Sequence, residues 1–397
     1  MYLSGRKCLK SLGRRSAIAN DRSKARQAKP VDDKSLTRAE HYPVGSRVPG
    51  GSGRGKRPES CALKILWIRT AAGPDIGFGH LRRSLILADM VSDCAQSVFL
   101  LDEHDSWSHS QIIQAGWNHS IYPKDGSWPE LDKPDAILID TREVQGLDRF
   151  VTEARSQRVP VVSIHDLGLS PLASDVVIDG SVAPEQRVFP LAETIFHTGT
   201  RFLVLDPSCK EIHRRPKRIR DSLESVLVSL GGGDSHRFFP KILQGLLLWG
   251  RSLDVIGLPG YSDWGQLSLA SQNWGPLNFR WAEKGETTCG IAYPLDVAIT
   301  AGGLSAFEVL CAGTPLLALS HDDLQARTVC ELAKADACIQ LGLLESFEPE
   351  QLPPILGSLE ANRVAREMLS KRGRRIVDGS GADRVSHILR DVIAGSP

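Results

Sequence analysis

The 397-residue chain has no apolar run of the ~18 residues that would span a bilayer as a helix. None of its eight cysteines (Cys8, Cys61, Cys94, Cys209, Cys289, Cys311, Cys330 and Cys338) stands in a C-x-x-C pair, and several lie inside apolar runs. They therefore read as reduced core or surface thiols of a cytoplasmic protein, not as a zinc site or a disulfide frame. No D-x-D sequence marks a metal site, and neither a metal nor an organic cofactor is expected. Residues 1–60 lack apolar periodicity and an apolar h-region, and they end in the Gly/Ser/Arg-rich stretch GSRVPGGSGRGKRPES. They are expected to be a disordered basic tail, or the product of a start placed too far upstream.

The net charge of +1 conceals an asymmetry. Residues 1–60 hold 15 Lys+Arg against 5 Asp+Glu, and the rest of the chain holds 33 against 42. A mildly acidic body argues against nucleic-acid binding. With 41% apolar and 24% charged residues, the whole chain has the composition of a soluble globular protein and is long enough for two domains.

What is present is a repeated β-α order. LKILWIR at Leu63–Arg69 predicts a strand, the loop AAGPDIGFGH follows, and LRRSLILADMV predicts a helix with Leu81, Leu85, Ala88 and Val91 on one face. Strands are predicted at 98–101, 136–140, 161–165 and 176–179, with helices at 108–116 and 147–157 between them. The polar, basic stretch Asp206–Ser222 reads as an inter-domain linker. The pattern then restarts with a strand at 225–230, the loop Gly231-Gly232-Gly233-Asp234 and a helix at 238–249. Further strands are expected at 253–257, 296–300, 316–320 and 337–341, and a helical tail at 364–393 breaks near Gly379-Ser380-Gly381. This is the signature of two doubly wound, Rossmann-like parallel sheets, spanning 61–205 and 223–397, with ligands bound where strands end.

The most informative stretch is Asp296–Gln325, DVAITAGGLSAFEVLCAGTPLLALSHDDLQ. Strand, glycine turn, helix, Gly313-x-Pro315 break and strand form a βαβ unit whose glycine turn meets a helix N-terminus, a natural anion site. Gly302, Gly303 and Ser305 would offer N–H groups and a hydroxyl to a diphosphate. Glu308, one turn in, can accept from two ribose hydroxyls. Gln325 either touches the ligand or belongs to the start of its own helix. In the first half, Gly79 and His80 sit at the equivalent strand-to-helix turn, and Arg83 follows one turn later as either a phosphate ligand or a solvated side chain. Asp140, Asp166 and Asp179 end or follow strands and could bind sugar hydroxyls or merely shape turns. Asp234 could likewise cap its helix.

Four motifs in order carry a resemblance. GPDIGFGHLRRSLILAD is close to G-x-G-H-x-x-R-x-x-x-L-A, SLGGGD resembles a second-domain glycine loop, AGGLSAFEVLCAGTP with DDLQ resembles AGG-S-T-x-W-E-x-x-x-x-G-x-P with D-x-Q, and RIVDGSGADRV is close to V-D-G-x-G-A-x-R-V. Over about residues 63–392 the chain resembles the PseG/SpsG family of two-domain GT-B proteins, which includes the UDP-sugar hydrolase of pseudaminic acid synthesis and spore-coat glycosyltransferase-like members. The resemblance implies a cleft between two Rossmann-like domains, a UDP-sugar substrate held by the C-terminal domain, and His80 as the general base. It departs at Ala71, at Thr141-Arg142-Glu143 and at His165-Asp166-Leu167, all on the sugar side. Hydrolysis of the UDP-sugar by water is the first expectation. Transfer to a sugar or polysaccharide acceptor is the alternative, and a non-catalytic nucleotide-sugar-binding protein is the second.

Overall fold

The computed structural model describes residues 63–73, 76–142, 144–165, 171–183, 191–231, 236–259, 272–283 and 285–395. In chain order the elements are β1 (Lys64–Thr70), α1 (Gly79–Met90), β2 (Ala95–Leu101), α2 (Ser106–Gln114), β3 (Asn118–Ile121), β4 (Ala136–Asp140), α3 (Leu147–Ser156), β5 (Val161–Ile164), β6 (Val176–Asp179), β7 (Ile195–Thr198) and α4 (Ser208–Arg214). There follow β8 (Ser225–Ser229), α5 (Phe239–Leu248), β9 (Leu253–Gly257), β10 (Leu277–Trp281), α6 (Thr288–Ala292), β11 (Val297–Ala301), α7 (Leu304–Ala312), β12 (Leu316–Ser320), α8 (Asp323–Lys334), β13 (Cys338–Leu343), α9 (Leu352–Ala361), α10 (Arg363–Ile376) and α11 (Gly381–Ala394).

The strands form two wholly parallel sheets, one of seven strands ordered β3-β2-β1-β4-β5-β6-β7 and one of six ordered β10-β9-β8-β11-β12-β13. Both lie in one compact unit. The central strands AILID, SVLVS, VAITA and LLALS are buried at every position. Such continuous apolar runs are what a sheet covered on both faces requires. In each sheet the strand order reverses beside the first strand, between β1 and β4 and between β8 and β11. In sheets of this kind ligands bind at that switch point, outside the carboxyl ends of the strands.

The doubly wound reading holds, and the edges differ from it. The short strands β3, β7 and β10 were not predicted, because NHSI, IFHT and LNFRW are half polar and partly exposed. The stretch read as a linker contains α4, whose Cys209 and Ile212 are buried. The last helix departs from the predicted division of the chain. Ala382, Val385, Leu389, Val392 and Ile393 of α11 belong to the same apolar cluster as Leu66 and Ile68 of β1 and Leu81 and Leu85 of α1. That return explains the glycine-rich tail motif. Gly379 has φ +73° and a Cβ there would lie 2.8 Å from the Cys209 carbonyl carbon, while a Cβ on Gly381 would collide with the backbone of Leu203. Asp378 accepts from Ser380 N and pairs with Arg384 at 2.6 Å, fixing the turn between α10 and α11.

Candidate functional site

The first sheet brings His80 and Asp140 together at its switch point. His80 is the second residue of α1, directly after β1, and Asp140 is the last residue of β4. His80 Nδ1 lies 2.7 Å from Asp140 Oδ1. Arg83, one turn along α1, meets the same carboxylate through Nε at 3.0 Å and Nη2 at 2.6 Å. All three are buried, Asp140 completely. Burial alone would raise the Asp140 carboxyl, but Arg83 and His80 outweigh it and hold it below the ordinary range. Burial lowers the His80 pKa, with Asp140 opposing and Arg83 and Arg142 assisting the decrease. The imidazole is therefore neutral near pH 7; Nδ1 lies 2.7 Å from the ionised Asp140 carboxylate and 3.0 Å from Arg83 Nη2, and the shorter contact, to the acceptor, favours the tautomer with the proton on Nδ1. Nε2 is then the basic nitrogen. Arg83 is therefore not a solvated side chain. It is buried on Asp140.

The second sheet contributes the glycine turn. Gly303 is the N-cap of α7 and no side chain among the described residues caps that helix, which leaves the first N–H groups, those of Leu304 and Ser305, as candidate donors for an anion, while that of Ala306 donates to the Gly303 carbonyl. Gly302 is required by close packing, since a Cβ there would sit 2.6 Å from Val329 Cγ2 and 3.2 Å from the Gln325 carbonyl. Gly303 lies against Gln325, whose Nε2 would be 4.0 Å from a Cβ. Ser305 is half-buried on the first turn. Gln325 takes an N–H from His321 through its Oε1 at 3.2 Å, and its own N–H is capped by Asp322. Gly232 and Asp234 lie outside the described residues, as does Asp166. Their neighbour Gly231 has φ +91°, and His321 Nε2 lies 2.6 Å from the carbonyl oxygen of Leu230.

The two helix starts face each other. A Cβ on Gly79 would lie 3.2 Å from Leu304 Cδ1, so the turn before His80 abuts the first residue of α7. Beside that contact Arg82 of α1 grips Glu308 of α7, with Nη2 to Oε1 at 3.1 Å and Nη1 to Oε2 at 3.4 Å, and reaches Asp206 at 3.5 Å. Glu308 is buried, at 1% exposure, while the Arg82 side chain is 36% exposed. Burial pushes the Glu308 carboxyl up, opposed by Arg82 and by a hydrogen bond from Thr288. A ribose on Glu308 would have to replace the Arg82 contact. A second pair, Arg142 Nη1 to Asp322 Oδ2 at 4.0 Å, also joins the two sheets. Asp179 accepts from Ser181 N at 2.9 Å and shapes its own turn.

Sequence reasoning missed Arg82, His321 and the Arg142–Asp322 pair. Arg82 stands beside Arg83 in HLRR, and only the direction of each side chain distinguishes the one that crosses to Glu308 from the one that folds back on Asp140.

No family model matches the chain. It is 26% identical over 328 residues to the spore coat polysaccharide biosynthesis protein SpsG of Bacillus subtilis (strain 168), an alignment covering 81% of this chain and 96% of that one. Among solved structures it is similar to the calicheamicin glycosyltransferase CalG4, with a TM-score of 0.56 and 14% identity over 84% of this chain and 98% of the other. It is also similar to S. aureus MnaA in its co-structure with UDP, with a TM-score of 0.55 and 10% identity over 84% and 97%.

Proposed function

The chain is an SpsG/PseG-like protein of the GT-B fold, and we propose that it is a glycosyltransferase that moves a sugar from UDP to a hydroxyl acceptor. The observation that carries this reading is the 2.7 Å contact between His80 Nδ1 and Asp140 Oδ1 at the mouth of the first sheet, opposite the uncapped start of α7. Asp140 fixes the imidazole so that Nε2 accepts a proton from the acceptor hydroxyl as the C1–O bond to the diphosphate breaks. The leaving diphosphate takes hydrogen bonds from the first-turn N–H groups of α7 and the Ser305 hydroxyl, and the helix dipole offsets its charge. Glu308 accepts from the ribose hydroxyls once Arg82 turns away, and Arg82, half-exposed beside the same helix start, is then free to meet the diphosphate.

UDP as the carrier is supported by the likeness to the MnaA structure with UDP, and transfer by the likeness to CalG4 and to a polysaccharide biosynthesis protein. Hydrolysis would use the same base on water. The deciding experiment incubates the protein with UDP-, GDP- and dTDP-sugars, with and without oligosaccharide acceptors, and identifies products by mass spectrometry. Transfer predicts a glycosylated acceptor and UDP release that depends on the acceptor. Free sugar formed at the same rate without an acceptor would replace transfer by hydrolysis, and no turnover with retained UDP binding would replace both by a binding role.

A further inference from the structure

Three cysteines far apart in sequence converge behind Glu308. Cys209 on α4, Cys289 on α6 and Cys311 on α7 are buried, and their sulfur atoms all lie within 4.8 Å of one another. The three helices pack on one another. His213 stands four residues after Cys209, one turn along the same face of α4. Its Nδ1 lies 3.9 Å from Cys311 Sγ and 3.2 Å from the Cys311 carbonyl oxygen. Gly379 closes the cluster from the other side, since a Cβ there would sit 2.9 Å from Cys311 Sγ. All three thiols are free, with no disulfide among them.

Cysteine is a good small apolar residue, and a single buried one needs no further explanation. Apolar packing, however, gives no reason for three sulfurs from three helices to meet at one point beside an imidazole nitrogen. That donor set is the Cys₃His set of structural zinc sites. With Zn–S of ~2.3 Å and Zn–N of ~2.0 Å, tetrahedral geometry needs sulfurs ~3.8 Å apart and nitrogen to sulfur ~3.5 Å. Drawing the sulfurs together from within 4.8 Å needs shifts of about an ångström. The His213 ring, with Nδ1 3.9 Å from Cys311 Sγ, would have to leave the Cys311 carbonyl oxygen and swing in toward the other two sulfurs.

We propose that Cys209, Cys289, Cys311 and His213 form a structural Zn²⁺ site that clamps α4, α6 and α7 together behind the glycine turn. Zinc binding releases the three thiol protons and holds the sulfurs as thiolates. Each sulfur ligand is a neighbour of a residue that shapes the Glu308 pocket. Cys289 follows Thr288, whose hydroxyl bonds Glu308, and Cys311 lies one turn beyond Glu308 on α7. Cys209 follows Ser208, which donates to Asp206, an Arg82 partner. The three positions are separated by long stretches of chain, so the site ties together elements that only the fold brings close.

The test uses the full chain, purified reduced and without chelators. Elemental analysis is expected to give one zinc per chain. Replacement by Co²⁺ should give sulfur-to-cobalt charge-transfer bands and the strong visible bands of a tetrahedral thiolate site. A chelator should lower Tm and added Zn²⁺ should restore it. Cys330→Ser, outside the cluster, should keep the stoichiometry, while Cys311→Ser should lose it. Because a buried cysteine variant could simply unfold, His213→Ala is the second variant. His213 is half-buried, so the fold should survive while zinc is lost more readily to a competing chelator. Three outcomes each overturn the proposal: no zinc or cobalt bound by reduced wild type, binding unchanged in both Cys311→Ser and His213→Ala, or a disulfide within the trio in freshly reduced protein.

Discussion

Arg82 and Glu308 face each other from the starts of two helices that belong to different sheets, with the guanidinium laid fork to fork on a fully buried carboxylate. In the proposed function this pair must part before Glu308 can accept from a ribose. Glu308→Ala is expected to weaken UDP binding by ~10- to 100-fold, the ~1.5–3 kcal/mol of a carboxylate serving two hydroxyls. The fold should hold, because Arg82 reaches water and keeps Asp206. Calorimetry returning an unchanged Kd would remove Glu308 from the site.

His80→Ala should lose at least ~10²-fold in turnover, the lower range for general-base help, and should still bind UDP. Turnover that survives the change would mean another group is the base. UDP binding lost along with turnover would make His80 a ligand or a structural residue.

Asp140→Asn tests positioning separately from catalysis. It should cost about tenfold or more in kcat, within the ~10²–10⁴-fold ceiling of losing the base, with KM for the UDP-sugar little changed. The carboxylate favours protonated His80, so its removal should shift the acid limb of the pH–rate profile to lower pH. A limb that stays in place would disconnect Asp140 from the base. Asp140→Ala should also destabilise the fold by ~3–5 kcal/mol, since it breaks a buried ion pair with Arg83.

Acid should unfold the protein in two stages. His80 is held neutral by burial, so below its ordinary value of ~6.5 the unfolded chain binds a proton that the folded chain refuses, and stability falls with pH from there. His119 and His197 are lowered for the same first reason and add to this stage. Asp140 is depressed in the fold, so its contribution is complete above ~3.9 and is lost as pH drops further. Denaturant titrations from pH 8 to 3 would show both slopes, and His80→Gln should reduce the first. An unchanged first slope in that variant would mean that His80 titrates normally.

Gly302→Ala should destabilise by ~1–3 kcal/mol, because the added methyl meets Val329 and the Gln325 backbone where α8 crosses the turn. A Tm equal to wild type would show that α8 yields, and the glycine would then need another explanation.

Much of this was legible in the sequence because the relevant signals are local. The fully buried strands read as apolar runs, and the glycine turns before His80 and after Ala301 marked helix starts. What stayed hidden depends on direction or on distance. Arg82 and Arg83 are adjacent and chemically identical, yet one crosses to Glu308 and the other is buried on Asp140. The strand NHSI carries no apolar alternation, so only its neighbour β2 makes it a strand. Cysteines 209, 289 and 311 lack any ligand spacing in sequence, because three separate helices supply them.

The return of the last helix has a mechanical consequence. The chain passes between the halves at Leu203–Leu205, where Val204 packs into the first core and its two neighbours into the core of the second, and again at Val377–Gly381. The two crossings lie side by side, with Gly381 against the backbone of Leu203, so the halves are joined by two connections and not by one linker. A cut that aims to separate the halves near residue 206 would strip the first core of one of its helices, so neither half can be excised as a module by one break in the chain.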